Sequence, residues 1–217
     1  MEAVSADPFR AARFILQLRQ QGIRDDAVLS AMETVDRRDF VDKSLHKLAA
    51  EDAVLPLGCG QVLPKPLTIA QLLTALEVTP GGKENVLLVG VGSGYTAALL
   101  AKLAGKVWAV DRYRTLVEAA RSNLDALGIR NVSLRQADGL AGWREHAPYD
   151  RILATGAVTK IPDDVVTQLT AGGKVVAPVA GADGRQTLRA VTKEGARTHS
   201  PLAEPFLPLV EGLAEAL

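Results

Sequence analysis

The hydrophobic pattern of the chain changes character near residue 85. Before that point apolar residues recur at helical spacing, and after it short apolar runs alternate with amphipathic stretches. The first pattern predicts helices, and the second is typical of βαβ units around a parallel sheet. We therefore predict one domain over residues 1–217, with an N-terminal helical cap and a loop in residues 1–82 and an α/β core in residues 83–217.

Three helices are predicted in the first part of the chain from apolar faces with recognisable ends. Gly22 follows the first helix as a stop signal, and Asp25 is suited to cap the N-terminus of the second. Residues 54–66 hold three prolines and two glycines, so we predict a loop there. The predicted helices cover residues 9–18, 28–35 and 67–76.

The second part of the chain predicts a layered sheet. Residues 86–89 form an apolar run typical of a strand that is buried on both faces, and Asp183-Gly184 predicts a hairpin turn between two later runs. We predict a doubly wound, Rossmann-like α/β sheet that is mostly parallel, ends in an antiparallel C-terminal hairpin and carries helices on both faces. The predicted strands are 86–89, 107–110, 132–135, 151–154, 174–179 and 186–192, and the predicted helices are 95–103, 116–127 and 163–169.

A glycine-rich loop follows the first predicted strand and contains Gly90, Gly92 and Gly94. Glycine allows a sharp turn and close approach of a ligand, and the next helix presents free N–H groups at its N-terminus. Asp111 lies 21 residues after Gly90, at the end of the second strand. A carboxylate at that position can accept hydrogen bonds from both hydroxyls of a ribose. Tyr95 replaces the third glycine of the dinucleotide fingerprint, so an adenosine ligand without a pyrophosphate fits better.

Asp138-Gly139 supplies a third element just past the third core strand. We interpret its carboxylate as a ligand for the amino group of adenine. The alternative is that the glycines only make tight turns and that the acids only cap helices.

The charge balance gives no indication of a polyanionic partner. Lys plus Arg and Asp plus Glu both number 25, and aromatic residues make up only 4% of the chain. Neither a general positive field nor a base-stacking platform is therefore predicted, and we expect no nucleic-acid or membrane partner. The sequence carries no indication of oligomeric state.

The cysteine and histidine content excludes several chemistries. Cys59 is the single cysteine, which rules out an internal disulfide and fits a reducing compartment. The N-terminus lacks the pattern of a secretory signal, so we expect a cytoplasmic protein. His46, His146 and His199 are isolated from one another, so no metal site is predicted.

Several blocks of the sequence resemble protein-L-isoaspartate O-methyltransferases, and together they span nearly the whole chain. The N-terminal blocks carry most weight, because the glycine loop is shared with many other methyltransferases. The resemblance rests on residues 22–26, 37–41 and 51–61, then on the glycine loop and on residues 137–139, 149–152, 161–162, 169–173 and 206–209.

The resemblance implies a protein-repair enzyme. Such enzymes transfer a methyl group from S-adenosyl-L-methionine to the side-chain carboxylate of L-isoaspartyl residues in damaged proteins, and the ester then collapses to a succinimide. In that case residues 1–82 hold the substrate loop and residues 83–217 form the cofactor-binding core.

The chain departs from the family pattern at three positions with a chemical role. Val62 and Pro64 replace a threonine and a serine, and the serine hydroxyl helps to hold the acceptor carboxylate in the family. Leu88 replaces the first-strand acid that binds the ammonium of the cofactor. These losses leave two alternatives open, namely an inactive relative that acts as a binding or regulatory module, and a methyltransferase with another acceptor.

Three residues are candidates for the substrate side. Gln61 belongs to the part of the loop that still matches the family, and Lys65 could attract a carboxylate, although a solvated lysine is the simpler interpretation. Thr155 follows the fourth core strand and matches a threonine of the family, and a turn cap is its alternative role.

Overall fold

The N-terminal part of the chain folds as a helical layer. The computed structural model describes residues 8–49, 51–79, 81–195, 197–202 and 204–214. Helix α1 (Pro8–Gln20) is followed by α2 (Asp26–Thr34), and the carboxylate of Asp25 accepts the N–H groups of Ala27 and Val28 as the predicted N-cap. This cap satisfies two of the N–H groups that a helix leaves free at its N-terminus.

The segment predicted as a loop contains two very short strands, which corrects the prediction for residues 54–66. Strand β1 (Leu55–Pro56) pairs antiparallel with β2 (Val62–Leu63), and the turn between them places Cys59 and Gly60 at positive φ. Leu55 and Leu63 are buried, so the pairing follows from two core side chains that proline and glycine counts do not reveal. Helix α3 (Pro66–Leu76) begins directly afterwards.

The core is a seven-stranded sheet in the order β5-β4-β3-β6-β7-β8-β9. Neighbouring strands from β5 to β7 are parallel, and β8 and β9 add antiparallel pairs at one edge. The predicted Rossmann-like class is therefore confirmed. Its elements are β3 (Asn85–Val89), α4 (Tyr95–Leu103), β4 (Lys106–Asp111), α5 (Arg114–Ala126), β5 (Val132–Gln136), β6 (Tyr149–Ala154), α6 (Asp163–Thr167), β7 (Leu169–Ala180), β8 (Gln186–Thr192) and β9 (Arg197–Pro201).

Alternate residues of the central strands pack into two separate hydrophobic cores, one on each face of the sheet. Val86 and Leu88 pack with α2, α3, α4 and α5 on one face of the sheet. Leu87 and Val89 point to the opposite face, where they pack with α6 and with the rings of Trp108 and Trp143, which contact each other. This alternation follows from the period of two along a strand. The second face has a thinner cover, since α6 has only five residues and 3-10 turns take the place of a longer helix.

Two boundaries near the C-terminus differ from the prediction. The helix predicted over residues 163–169 ends at Thr167, because Leu169 already pairs with Tyr149 and opens β7. Gly172 and its neighbour therefore lie inside β7, at a register irregularity, and do not precede the strand. Strand β9 was not predicted, since all of its side chains are exposed and leave no apolar pattern.

The predicted division at residues 82 and 83 stays a prediction. Strand β3 begins shortly after it, and α3 packs against β6, β7 and β8 of the sheet. Within the described ranges, none of the helices has both the length and the apolar character needed to cross a membrane.

Candidate active site

A cleft opens at the carboxyl ends of β3, β4 and β6, where the strand order reverses. Ligands of doubly wound folds bind at such a point, because loops and helix N-termini converge there. The cleft encloses about 970 Å³, including the part that is open to solvent. The predicted residues that line it are Gln61, Val62, Pro64, Gly90, Gly92, Asp111, Gly139 and Thr155.

The glycine loop turns sharply at one wall of the cleft. Gly90 has a φ of +89°, and a Cβ atom there would lie 2.5 Å from the hydroxyl oxygen of Thr155. Gly94 is required for another reason, since a Cβ atom there would lie 3.2 Å from the Cβ of Ala120 on α5. Gly94 therefore lets α4 pack against α5 and does not line the cleft.

Asp111 is buried at the end of β4, with an exposed fraction of 7%. One carboxylate oxygen accepts the N–H of Gly92 at 3.0 Å, and the other accepts the N–H of Tyr113 at 3.1 Å. A carboxylate has about four acceptor positions, so each oxygen keeps capacity for a further donor such as a ribose hydroxyl. Burial raises the pKa of Asp111, and the N–H groups of Gly92 and Tyr113 oppose that rise.

Two buried polar atoms at the cleft have no partner within the described part of the chain. They are the hydroxyl oxygen of Ser93, in the glycine loop, and the Nε of Arg112, next to Asp111. Buried polar atoms are nearly always hydrogen-bonded in folded proteins. Both residues line the cleft together with Asp111, and their unsatisfied groups fit a polar ligand such as a nucleoside with an amino-acid tail.

Asp138 lies beside the cleft and does not line it. Its Oδ1 accepts the N–H of Leu140 at 2.9 Å, and its Oδ2 accepts the N–H of Gly212 at 2.8 Å. Gly139 does line the cleft, and a Cβ atom there would lie 2.2 Å from a methyl group of Val89. The predicted contact of Asp138 with adenine stays a prediction, to which the structure adds a second role in holding the C-terminal segment.

The C-terminal segment, residues 206–214, crosses the cleft, and we call it the C-terminal strap. The N–H of Leu209 donates to the carbonyl of Ala157 at 2.8 Å, and the N–H of Ala214 donates to the carbonyl of Arg112 at 3.1 Å. Gly156 admits the strap, since a Cβ atom there would lie 2.6 Å from Leu209. The strap contributes part of the cleft wall. The sequence resemblance includes its first four residues, but their role was not predicted.

Arg37 organises the opposite wall, and sequence reasoning gave it no role. Its guanidinium donates to the carbonyls of Ala53, Pro64 and Leu63 at 2.8, 2.9 and 3.3 Å, with contacts of 3.4 Å to two earlier carbonyls. The side chain is buried, which lowers its pKa to about 10. Because one planar donor group binds carbonyls on both sides of the β1–β2 hairpin, Arg37 fixes the loop that carries Gln61.

The three substrate-side candidates differ in whether their polar groups are already hydrogen-bonded or ion-paired within the protein. The hydroxyl of Thr155 donates to the carbonyl of Gly90 at 2.5 Å, so it supports the glycine loop. Gln61 lines the cleft and donates weakly to the carbonyl of Cys59 at 3.3 Å. The ammonium of Lys65 lies outside the cleft and 2.5 Å from the carboxylate of Glu204, which neutralises it.

Leu88 also lies outside the cleft. It is fully buried in the core formed with α2 to α5. Asp111 is the one carboxylate among the described residues that line the cleft. No group of three His, Cys, Asp or Glu in the described ranges is arranged to hold a metal ion.

The arrangement of a glycine loop, a buried acid and a family-specific loop at one cleft agrees with comparisons to known proteins. The family model described as protein-L-isoaspartate(D-aspartate) O-methyltransferase (PCMT) matches residues 10–214. The chain belongs to this family. Its members are enzymes, so the predicted enzyme class is confirmed.

Relatives in the family match over almost their full lengths. The chain is 44% identical over 205 residues to the protein-L-isoaspartate O-methyltransferase of Parvibaculum lavamentivorans, and the match covers 93% of this chain and 91% of that protein. It is 45% identical over 206 residues to the enzyme of the same name from Xanthobacter autotrophicus, covering 94% and 93%.

Solved structures of the same name share the fold. One matches with a TM-score of 0.83 and 27% identity, and it covers 94% of this chain and 67% of that chain. Another, from Plasmodium falciparum, is in complex with S-adenosyl-L-homocysteine, and it matches with a TM-score of 0.76 and 22% identity over 91% of this chain and 97% of that chain. At this lower identity the likeness supports the fold alone.

Proposed function

We propose that this chain transfers the methyl group of S-adenosyl-L-methionine to the side-chain carboxylate of L-isoaspartyl residues in damaged proteins. The proposal rests on one cleft whose two walls come from different parts of the chain. The glycine loop and Asp111 form the wall that suits a nucleoside, and the loop fixed by Arg37 forms the other. A cofactor and a peptide can therefore meet at the same place.

The cofactor wall supplies recognition of the adenosine part. Asp111 offers charged acceptors to the ribose, and the turn at Gly90 and Gly92 lets the ligand approach the backbone. S-adenosyl-L-methionine, when bound, supplies a methyl group on a positively charged sulfur. Since Leu88 supplies no acid, the unsatisfied hydroxyl of Ser93 is a candidate contact for the polar tail of the cofactor.

The wall formed by the Gln61 loop, which we call the acceptor wall, has to position the substrate carboxylate and exclude water. A carboxylate is already anionic, so no general base is required, and the rate depends on proximity and alignment. The β1–β2 hairpin, whose ends accept hydrogen bonds from Arg37, and the strap provide two sides of such a binding place. Pro64 supplies no hydroxyl to the acceptor, so another donor has to hold it.

The substrates that follow from this proposal are isoaspartyl proteins and peptides. A cytoplasmic setting suits repair of intracellular proteins and agrees with the single cysteine. The alternative of an inactive binding module rests on Pro64 and Leu88, and it predicts that cofactor binding occurs without methyl transfer.

A methanol-release assay tests the proposal. The purified chain is incubated with labelled S-adenosyl-L-methionine and a peptide that contains one L-isoaspartyl residue, and the matched control is the same peptide with a normal aspartyl residue. We expect base-labile methyl ester in the first peptide and only background in the second. Equal labelling of both peptides would indicate another acceptor, and binding of S-adenosyl-L-homocysteine without any labelling would support the inactive module.

A further inference from the structure

A second cavity adjoins the cleft on its substrate side. It encloses about 530 Å³, including its open part, and four residues belong to the walls of both spaces, so the two are adjacent. Its walls are mostly apolar, and three of the apolar wall residues, Val54, Val62 and Leu207, are exposed. The shared residues are Val62, Pro64, Phe206 and Leu207, and Val54 and Thr68 complete the wall on the N-terminal side.

Thr68 is the unusual member of this wall. Its exposed fraction is 1%, and its hydroxyl oxygen is buried without a hydrogen-bond partner among the described residues. Leaving a buried hydroxyl unpaired is unfavourable, and a valine of the same shape would avoid the loss. The hydroxyl is therefore suited to a donor role toward something that enters the cavity.

The position of Thr68 favours an anionic ligand. It is the third residue of α3, and the N-terminus of an 11-residue helix carries partial positive charge. Glu204 also lines the cavity, but its carboxylate is paired with Lys65 at 2.5 Å. The carboxylate of Asp52 accepts the N–H of Leu67 at 3.1 Å, so one N–H of this helix end is already used, and a carboxylate that enters here meets the Lys65–Glu204 ion pair and the unpaired hydroxyl of Thr68. The apolar walls reduce competition from water for that hydrogen bond.

We propose that the hydroxyl of Thr68 donates a hydrogen bond to the carboxylate that accepts the methyl group. Thr68 thereby supplies the donor that is missing at Pro64, four residues earlier in the chain and in the wall of the same cavity. This inference rests on the proposed function, because it names the group that positions the isoaspartyl side chain.

The test compares two threonines of the same helix. Thr68→Val removes the hydroxyl and keeps the shape, and Thr68→Ser keeps a hydroxyl. The matched control is Thr74→Val, because the hydroxyl of Thr74 is also buried without a described partner on α3, but it lines neither space. Each variant is measured for kcat/KM with the isoaspartyl peptide, for KM with S-adenosyl-L-methionine, for affinity toward S-adenosyl-L-homocysteine and for Tm.

We expect Thr68→Val to lower kcat/KM for the peptide by roughly 10- to 100-fold, since a hydrogen bond to a charged group is lost. Its KM for the cofactor should stay close to that of the unaltered chain, and its Tm should not fall, because valine removes an unpaired buried hydroxyl. Thr68→Ser should recover most of the activity, and Thr74→Val should behave as the unaltered chain does.

Three results would overturn the inference. Thr68→Val could match Thr74→Val in kcat/KM for the peptide, it could weaken cofactor and peptide equally, or Thr68→Ser could be as impaired as Thr68→Val. In each case the unaltered chain still methylates the isoaspartyl peptide, so the proposed function stands. An unaltered chain that binds S-adenosyl-L-homocysteine but never labels the peptide instead overturns the proposed function and the inference together.

Discussion

The carboxylate of Asp111 offers the sharpest test of the cofactor wall. Replacement by asparagine keeps the shape of the side chain but leaves a single acceptor oxygen. In the structure the two oxygens serve different donors, the N–H groups of Gly92 and Tyr113. In Asp111→Asn the NH₂ group faces one of these N–H groups, so one hydrogen bond is replaced by two opposed donors. The substitution also removes the negative charge that the carboxylate presents to the ribose.

The expected loss follows from the number and type of hydrogen bonds. A hydrogen bond to a charged group contributes about 1.5–3 kcal/mol, so loss of one such bond to the ribose weakens binding roughly 10- to 150-fold. Isothermal titration calorimetry with S-adenosyl-L-homocysteine measures this directly. The matched control is Asp125→Asn, because Asp125 is an exposed acid paired with Arg130 at 2.5 Å on the surface. We expect the control to change the affinity less than about twofold.

The pH dependence of binding gives a second readout of Asp111. Burial raises the pKa of this carboxylate above its ordinary value. As the pH falls through the raised pKa, the carboxylate gains a proton and the affinity for the nucleoside should fall, before ordinary surface acids are protonated. Asp111→Asn should lack this decline. Equal affinity of Asp111→Asn and the unaltered chain at neutral pH would refute the placement of the ribose.

Three further substitutions probe the groups around the cleft. Arg37→Met removes the donor of several buried carbonyls, so we expect a loss of about 3 kcal/mol and a fall in Tm of roughly 6–12 °C by scanning calorimetry; a fall below about 2 °C would contradict the role of Arg37. Gly90→Ala places a Cβ atom 2.5 Å from the hydroxyl oxygen of Thr155 at a φ of +89°, and we expect at least a tenfold loss of affinity for S-adenosyl-L-homocysteine, whereas retained affinity would mean that the loop adapts without loss. Asp138→Ala removes the acceptor of the Gly212 N–H, so hydrogen exchange at that amide should accelerate roughly tenfold or more, and unchanged exchange would show that the strap is held elsewhere.

The central strands and the glycine loop were predictable because their signals are local. An apolar run followed by closely spaced glycines fixes a strand, a turn and a helix within about 15 residues. The helix predicted up to Leu169 shows the limit of such signals, because pairing with Tyr149 decides that this residue opens a strand. Gly94 belongs to the same motif as Gly90, but Ala120 on a later helix determines its role.

The substrate side was less predictable because its contacts join distant parts of the chain. Arg37 binds the carbonyl of Pro64, 27 residues later, and Asp138 holds Gly212 of the strap across 74 residues. No spacing rule covers contacts of this kind. The free hydroxyl of Thr68 could not be distinguished from other helical threonines until its burial and its cavity were known.

A crystal structure with S-adenosyl-L-homocysteine bound would show whether the nucleoside binds beside Asp111. We predict that the nucleoside lies in the cleft between the glycine loop and Leu140, with ribose hydroxyls within hydrogen-bonding distance of Asp111. Density for the ligand at any other place, or an empty cleft at saturating ligand, would contradict this placement.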